Sequence, residues 1–353
     1  MSGLNRATRL SRPFLPTKPR LNLEELTDDL KGVSRQLNGH LWTLVPYGSA
    51  YLSTLPSMGG AEYVHGVDDP DKGWVPIYGR LYPGRTDGTR LVILLHGLAS
   101  KPTDPYLRQM IRALRRTGCA VLSAALRGSL GRGPDHYHAG LTDDLKAIFS
   151  DAKLDMYEEI FIVGYSLGGQ IALRYAIDEP TSRLKGAVAL CAPILMRPCQ
   201  LALDSMSLTP YRISILSVLK WTYHRLAWNA RRSGYAMDCP LRRVRQIRSF
   251  YEWDQHVVCP RYGYGSVDAY YEAVSVAPQL HALSLPSLLV FAENDPIVPI
   301  DAIRPSLAHV PDHVTVKIAQ PGGHLGFSPT LDLGQDASLG LTNQVAGWIQ
   351  SIP

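Results

Sequence analysis

The residues with the clearest chemical meaning are Gly164-Tyr165-Ser166-Leu167-Gly168, which follow the strand-like run EIFIV and precede a helix-like stretch over 168–178. A G-x-S-x-G at a strand-to-helix junction forms a turn so sharp that the positions two before and two after the serine can carry almost no side chain. Gly164 and Gly168 meet that need. Such a turn lifts the Ser166 Oγ above the sheet, beside a helix N-terminus. It also aims the Leu167 N–H at the point where negative charge develops on a tetrahedral intermediate. The chemistry this arrangement suits is nucleophilic attack on an acyl carbonyl.

A serine hydroxyl needs a base, and the base needs an orienting acid. On a sheet carrying this elbow the chain order is serine, acid, histidine. Asp295, in AENDPIVP, lies just past the strand-like run SLLVF and 129 residues beyond Ser166. His324, in PGGHLGF, follows VTVKIA and lies 29 residues beyond Asp295. Ser166, His324 and Asp295 are therefore the expected nucleophile, base and acid. Leu95-His96-Gly97-Leu98 closes the run LVILL. Gly97 permits a tight turn there, which makes the Leu98 N–H the expected second oxyanion donor beside Leu167. His96 stands too early in the chain to be the base and reads as a residue that bonds its own loop.

Other candidates are weaker. His138 and Asp143, in YHAGLTDDL, show an H-x-x-x-x-D spacing that some acyltransferases use. The plainer reading makes Thr142 a helix cap with Asp143 and Asp144 in the first turn. The histidines show no metal-ligand spacing. No G-x-x-x-x-G-K-[ST] occurs, and no dinucleotide fingerprint follows the first strand. The expected chemistry uses no metal and no cofactor.

The elements that must position these residues follow from pattern. The chain has 353 residues, 45% hydrophobic and 19% charged. That excludes a disordered chain, a collagen-like repeat and a coiled coil. Strand-like runs occur at 74–82, 90–96, 119–126, 159–166, 184–191, 287–293 and 314–319, several of them continuously apolar as in strands covered on both faces. Helix-like stretches at 105–117, 140–154, 168–178, 300–309 and 341–351 alternate with them. The alternation predicts an α/β fold with a mostly parallel central sheet flanked by helices. The first run has no helix before its neighbour and is expected in an antiparallel hairpin.

Three segments interrupt the pattern. Residues 1–20 hold three prolines and five basic side chains with no acid, and read as an extended arm. Residues 21–38 read as a short helix with Asn22 as a cap. Residues 193–265 are rich in Tyr, Trp and Arg, with eleven basic residues against four acids and an aromatic helical section near 210–232. An insertion there, leaving the strand ends of an α/β sheet, is expected to cap the binding crevice. The organisation expected is thus an arm and short helix over 1–59 packed on a core of 60–192 and 266–353, with the cap over 193–265.

Net charge is +5, carried mainly by the arm and the cap. Basic patches attract phosphate-bearing partners. The ordinary reading is a solvated face, and no nucleic-acid partner is expected. No run approaches the ~20 apolar residues that cross a bilayer, and the basic N-terminus is not followed by a signal-peptide core. Five cysteines without a C-x-x-C pair suggest free thiols and a cytoplasmic setting.

The elbow, the HGL turn, the two loops and their order resemble the α/β-hydrolase superfamily. The likeness narrows to its YheT-like branch, also called embryogenesis-associated hydrolases. It rests on Asn38-Gly39-His40-Leu41-Trp42-Thr43, YHAGLTDDL, GYSLGG, DAYYEAVS at 268–275, AENDPIVP and PGGHLGF, and covers about 36–350. The chain departs from the branch at Trp42, where glutamine is usual, and at Gln170, where asparagine is common. The resemblance implies an α/β-hydrolase fold of about eight strands and carboxylic-ester hydrolysis. Acylglycerols, phospholipids and small esters are the candidate substrates.

Two alternatives stay open: an acyltransferase using the same acyl-enzyme, and a non-catalytic lipid-binding protein on a hydrolase fold. For the cap helix, apolar residues such as Ile213, Trp221 and Trp228 punctuated by Arg212, Lys220 and Arg225 allow either packing onto the sheet or peripheral membrane contact.

Overall fold

The apolar runs become the strands of one eight-stranded sheet in the order β1-β2-β4-β3-β5-β6-β7-β8. The computed structural model describes residues 34, 37–44, 58–85 and 88–353. The arm expected over 1–20 and the Asn22 cap lie outside these residues, as does most of the helix expected over 21–38. The strands are β1 (Ala61–Asp69), β2 (Gly73–Tyr82), β3 (Arg90–Leu95), β4 (Ala120–Ala124), β5 (Glu159–Tyr165), β6 (Leu184–Leu190), β7 (Ser287–Ala292) and β8 (Val314–Ala319). β1 and β2 form an antiparallel hairpin, and β2 lies antiparallel to β4. From β4 across to β8 the pairing is parallel.

Burial explains which strands the sequence revealed. LVILL in β3, IFIVGY in β5 and SLLVFA in β7 are buried at every position, as parallel strands between two helical layers must be. β1, AEYVHGVDD, is an edge strand in which only Tyr63 is fully buried. Its glycine and acids hide it from a search for apolar runs, and only its partner β2 was legible.

The helices are α1 (37–44), α2 (Pro105–Arg116), α3 (Asp143–Phe149), α4 (Leu167–Asp178), α5 (Met196–Asp204), α6 (Thr209–Arg232), α7 (Leu241–Gln246), α8 (Phe250–Trp253), α9 (Cys259–Tyr262), α10 (Val267–Val274), α11 (Ile300–Leu307) and α12 (Leu341–Ser351). In α2, Leu107, Met110, Ile111 and Leu114 are buried at i, i+3, i+4 and i+7, a single apolar face turned to the sheet. α5 to α10 all fall between β6 and β7. Thr142 does precede α3, but its side chain makes no capping hydrogen bond, so the expected cap is not formed. All five cysteines are free and buried. Among the described residues no helix is long and apolar enough to cross a membrane.

Candidate active site

Sheet register brings the chemistry together. Leu95 pairs with Gly164, so the loop leaving β3 lies beside the turn leaving β5. β7 and β8 lie two and three strands beyond β5, and their following loops carry Asp295 and His324. All of these loops leave the carboxyl ends of parallel strands, the side where a crevice forms in such sheets.

Ser166 occupies φ 50°, ψ −119°, a sparsely populated backbone region for a non-glycine residue. The turn is fixed by contact. A Cβ on Gly164 would fall 2.1 Å from the Gly168 carbonyl oxygen, and one on Gly168 would fall 2.6 Å from the carbonyl oxygens of Leu95 and His96. The Ser166 N–H donates to the Leu190 carbonyl at 2.7 Å, which ties the turn to β6.

The Ser166 hydroxyl lies 3.0 Å from His324 Nε2, and His324 Nδ1 lies 2.9 Å from Asp295 Oδ2. Asp295 is itself held: its Oδ1 accepts the N–H groups of Ile297 at 2.8 Å and Val298 at 2.9 Å. The backbone amides thereby fix the carboxylate, whose Oδ2 is the nearer acceptor of the imidazole while Oδ1 lies 3.2 Å from the same Nδ1. This orientation places the histidine proton on Nδ1 and leaves Nε2 free to accept from serine.

Leu98 and Leu167 stand beside this group, and the loop after β3 shows how Leu98 is presented. The Gly97 N–H donates to the Tyr106 hydroxyl at 3.2 Å, the Ala99 N–H to the Tyr137 hydroxyl at 2.9 Å, and the Ser100 N–H to the Gly97 carbonyl at 3.3 Å. Of four successive amides, the Leu98 N–H alone has no partner among the described residues. Leu167 opens α4, where the first N–H groups have no intrahelical acceptor. Two unsatisfied amides next to Ser166 are what an oxyanion requires.

His96 is fully buried, and burial pushes its pKa down to about 4. Its Nδ1 donates to the Gly97 carbonyl at 2.8 Å and its Nε2 accepts the Leu126 N–H at 3.1 Å. It is a neutral brace for the loop, as its place in the chain suggested. His138 and Asp143 are not hydrogen-bonded to each other. His138 Nδ1 accepts the Gly140 N–H at 3.1 Å within a group of tyrosine rings, whereas Asp143 is exposed and lies 3.4 Å from the Lys146 ammonium.

The sequence reading missed the support provided by α1. The Thr43 hydroxyl accepts the His324 backbone N–H at 2.8 Å while donating to the Gly39 carbonyl at 2.7 Å. Gly39 allows this approach, because a Cβ there would fall 1.9 Å from the Asn294 carbonyl oxygen. His40 Nδ1 lies 3.2 Å from the Tyr211 hydroxyl of α6. One short helix thus touches the acid loop, the histidine loop and the α5–α10 segment. N-G-H-L-W-T was visible as a motif, but nothing local says that it meets a loop 281 residues on. At the departure noted for Gln170, the side-chain amide donates to the Val274 carbonyl and ties α4 to α10.

A cavity of about 390 Å³ opens onto Ser166 and His324. Its walls include Leu98 and Leu167 from the core, Leu203, Tyr211, Ile215 and Leu219 from α5 and α6, and Phe250, Trp253 and Tyr270 farther on. The carboxyl group facing it, Asp254, accepts the Tyr271 hydroxyl at 2.7 Å, and burial raises its pKa to about 7. Among the described residues, Cys191, Asp295 and His324 could gather round a metal ion. Burial and the nearby Asp295 charge push the Cys191 thiol well above its ordinary pKa, which disfavours the thiolate a metal would need. The carboxylate and Nδ1 already share a hydrogen bond, so this donor set suits proton transfer rather than a cation.

Residues 87–328 match the family described as serine aminopeptidase, S33. The chain is 24% identical over 273 residues to the putative esterase YheT of Escherichia coli K12, covering 75% of this chain and 78% of that one. It is 25% identical over 255 residues to monoacylglycerol lipase ABHD2 of Danio rerio, covering 67% of this chain and 59% of the lipase. Among solved structures, 2,6-dihydroxy-pseudo-oxynicotine hydrolase aligns with a TM-score of 0.50 at 17% identity, covering 89% of this chain and 71% of that one.

Proposed function

Since the chain belongs to the serine aminopeptidase S33 family of α/β hydrolases and is of esterase and lipase type, we propose that it hydrolyses carboxylic esters through an acyl-enzyme on Ser166. The observation that carries this reading is the continuous hydrogen-bond chain from Ser166 through His324 to Asp295 at the floor of an apolar cavity. In the first step Ser166 Oγ bonds to the carbonyl carbon while its proton passes to His324 Nε2. The Leu98 and Leu167 amides receive the oxyanion, and the Asp295 carboxylate stabilises the imidazolium. Collapse breaks the ester C–O bond as His324 returns the proton to the leaving alcohol. His324 then takes a proton from water as its oxygen bonds to the acyl carbon, and returns that proton to Ser166 Oγ as the acyl C–Oγ bond breaks and the acid is released.

The substrate class we propose is a lipid or small acyl ester. A cavity near 390 Å³ lies toward the low end of ligand sites, which run from about 300 to 1,000 Å³. Its aliphatic and aromatic walls suit an acyl chain. The names of the relatives, an esterase and a monoacylglycerol lipase, point the same way. We further propose that segment 193–265 is the cap that shelters this cavity, since Met196, Leu203, Tyr211 and Phe250 line it.

The test is hydrolysis of p-nitrophenyl esters from C2 to C16 by the native protein and by Ser166→Ala. The native protein is expected to turn over a subset of chain lengths, and Ser166→Ala to lose on the order of 10⁴-fold or more. A variant that retains native rates would refute the assignment.

A further inference from the structure

We propose that the outer face of α6, with the adjoining α7, docks on a lipid bilayer bearing anionic head groups. The sequence left open whether the aromatic residues of this helix pack inward or meet a membrane, and burial separates two sets. Leu216, Leu219, Tyr223 and Leu226 turn inward and are buried. Ile213, Ser217, Trp221, Arg225, Trp228 and Arg232 follow one another at spacings of three and four, so they lie along a single face. On that face Ile213 is 60% exposed, Trp221 58% and Trp228 65%, with Val218 beside them at 41%. At 1.5 Å per residue the stripe runs for about 28 Å. Two exposed tryptophans flanked by arginines are the composition of a helix lying in a membrane interface. Arg225 stacks on Trp221 at 5.0 Å, which holds the ring outward.

Charge selects the kind of surface. The four acids between 193 and 265 are all engaged elsewhere. Asp204 accepts the Phe250 and Tyr251 N–H groups, Asp238 pairs with Lys72, Glu252 accepts the Arg248 backbone N–H, and Asp254 accepts the Tyr271 hydroxyl. Arg231 and Arg232 at the end of α6, and Arg242, Arg245 and Arg248 on or just after α7, are exposed and form no ion pair with a described carboxylate. α7 is held against α6 through Lys220, whose ammonium donates to the Ile247 and Arg245 carbonyls. The apolar stripe and the unpaired cations therefore belong to one rigid surface, complementary to anionic lipid. The inward side of the same helix places Tyr211, Ile215 and Leu219 in the wall of the cavity. A molecule leaving the bilayer at this face would meet the cavity within one helix diameter, about 10 Å.

The experiment is sedimentation of the full chain with vesicles of phosphatidylcholine alone or with a quarter phosphatidylglycerol, at low and high salt. The native protein is expected to pellet with the anionic vesicles at low salt, to be released by salt, and to ignore phosphatidylcholine. Trp221→Ala/Trp228→Ala is expected to weaken partitioning by tenfold or more. Glutamine at Arg231, Arg232, Arg242 and Arg245 is expected to weaken it by at least about 100-fold, each basic side chain near such a surface contributing a factor of about five. Both variants should keep native rates on a soluble short-chain ester, because none of these residues lines the cavity. A native protein that stays in the supernatant overturns the proposal, and so does equal binding by both variants. Sedimentation needs no turnover, so a protein that binds vesicles but hydrolyses no ester would refute the catalytic reading and leave this one standing.

Discussion

Replacing Asp295 by asparagine changes one atom and tests the logic of the whole site. Asp295 Oδ1 accepts two backbone N–H groups, from Ile297 at 2.8 Å and Val298 at 2.9 Å, while Oδ2 faces His324 Nδ1 at 2.9 Å. An asparagine must keep its carbonyl oxygen toward the two amides, because the reverse orientation would set its NH₂ against both donors. Its NH₂ therefore takes the nearer place, 2.9 Å from Nδ1, where two donors cannot share one hydrogen bond, and the carbonyl oxygen left 3.2 Å from Nδ1 already serves two amides. The imidazole answers by moving its proton to Nε2, where it points at Ser166 Oγ and can no longer accept. The expected loss in kcat at neutral pH is about 10⁴-fold, the scale for a base locked in the wrong tautomer. That is about 5.5 kcal/mol of barrier. The fold should survive, since both backbone hydrogen bonds are retained. The assay is kcat and KM on a soluble p-nitrophenyl ester, with the melting temperature recorded beside it. A loss below about tenfold in a variant that melts near the native temperature would refute the role given to the carboxylate.

Three further predictions concern one residue beside the triad and the buried charges and histidines elsewhere in the fold. Thr43→Val should lower kcat about tenfold or more with little change in KM, because it leaves the His324 N–H without its acceptor, a loss of about 1–3 kcal/mol; Thr43→Ser should restore the rate. Arg261→Met should lower unfolding free energy by about 3–5 kcal/mol in a denaturant titration, because Arg261 on α9 bridges Asp69 and the buried Asp135 and reaches the exposed Asp71, and its loss leaves Arg127 as the one cation for Asp69, Asp135 and Asp144 among the described ion pairs. Acidification from pH 7 to 5 should lower the denaturation midpoint. Burial holds His96 and His136 at about 4 and His138 at about 3, below the ordinary histidine value, so the unfolded chain binds more protons and stability falls as pH drops. Asp254, raised to about 7, and buried Asp144, also raised, act in the opposite sense, but the three histidines outnumber them. A midpoint that rises on acidification would contradict this balance.

The parts legible in the sequence share one property: their signal is local. Ser166 announces itself by glycines two residues away on either side, and Asp295 and His324 each follow a run apolar enough to read as a strand. The long insertion was visible because the strand-helix alternation stops. What escaped depends on contacts between distant segments. Thr43 and Gly39 matter because α1 lies against loops more than 250 residues away, and Tyr106 and Tyr137 because their hydroxyls take two of the amides around Leu98. Arg127 and Asp135 sit in a loop with three glycines between them, yet both are 1% exposed. Burial holds each in register with an opposite charge from another segment, which no periodicity encodes. β1 escaped for a related reason, since an edge strand needs little apolar surface when its partner supplies the core.

The most direct test of the central claim is labelling with a fluorophosphonate, followed by mass spectrometry of the digested protein. The probe reacts only with a serine whose proton is being withdrawn beside an oxyanion site. The account predicts a single adduct on the peptide carrying Ser166, absent in Ser166→Ala and strongly reduced in Asp295→Asn. Ester hydrolysis by the native protein with no adduct on Ser166, or with the adduct on another serine, would contradict it.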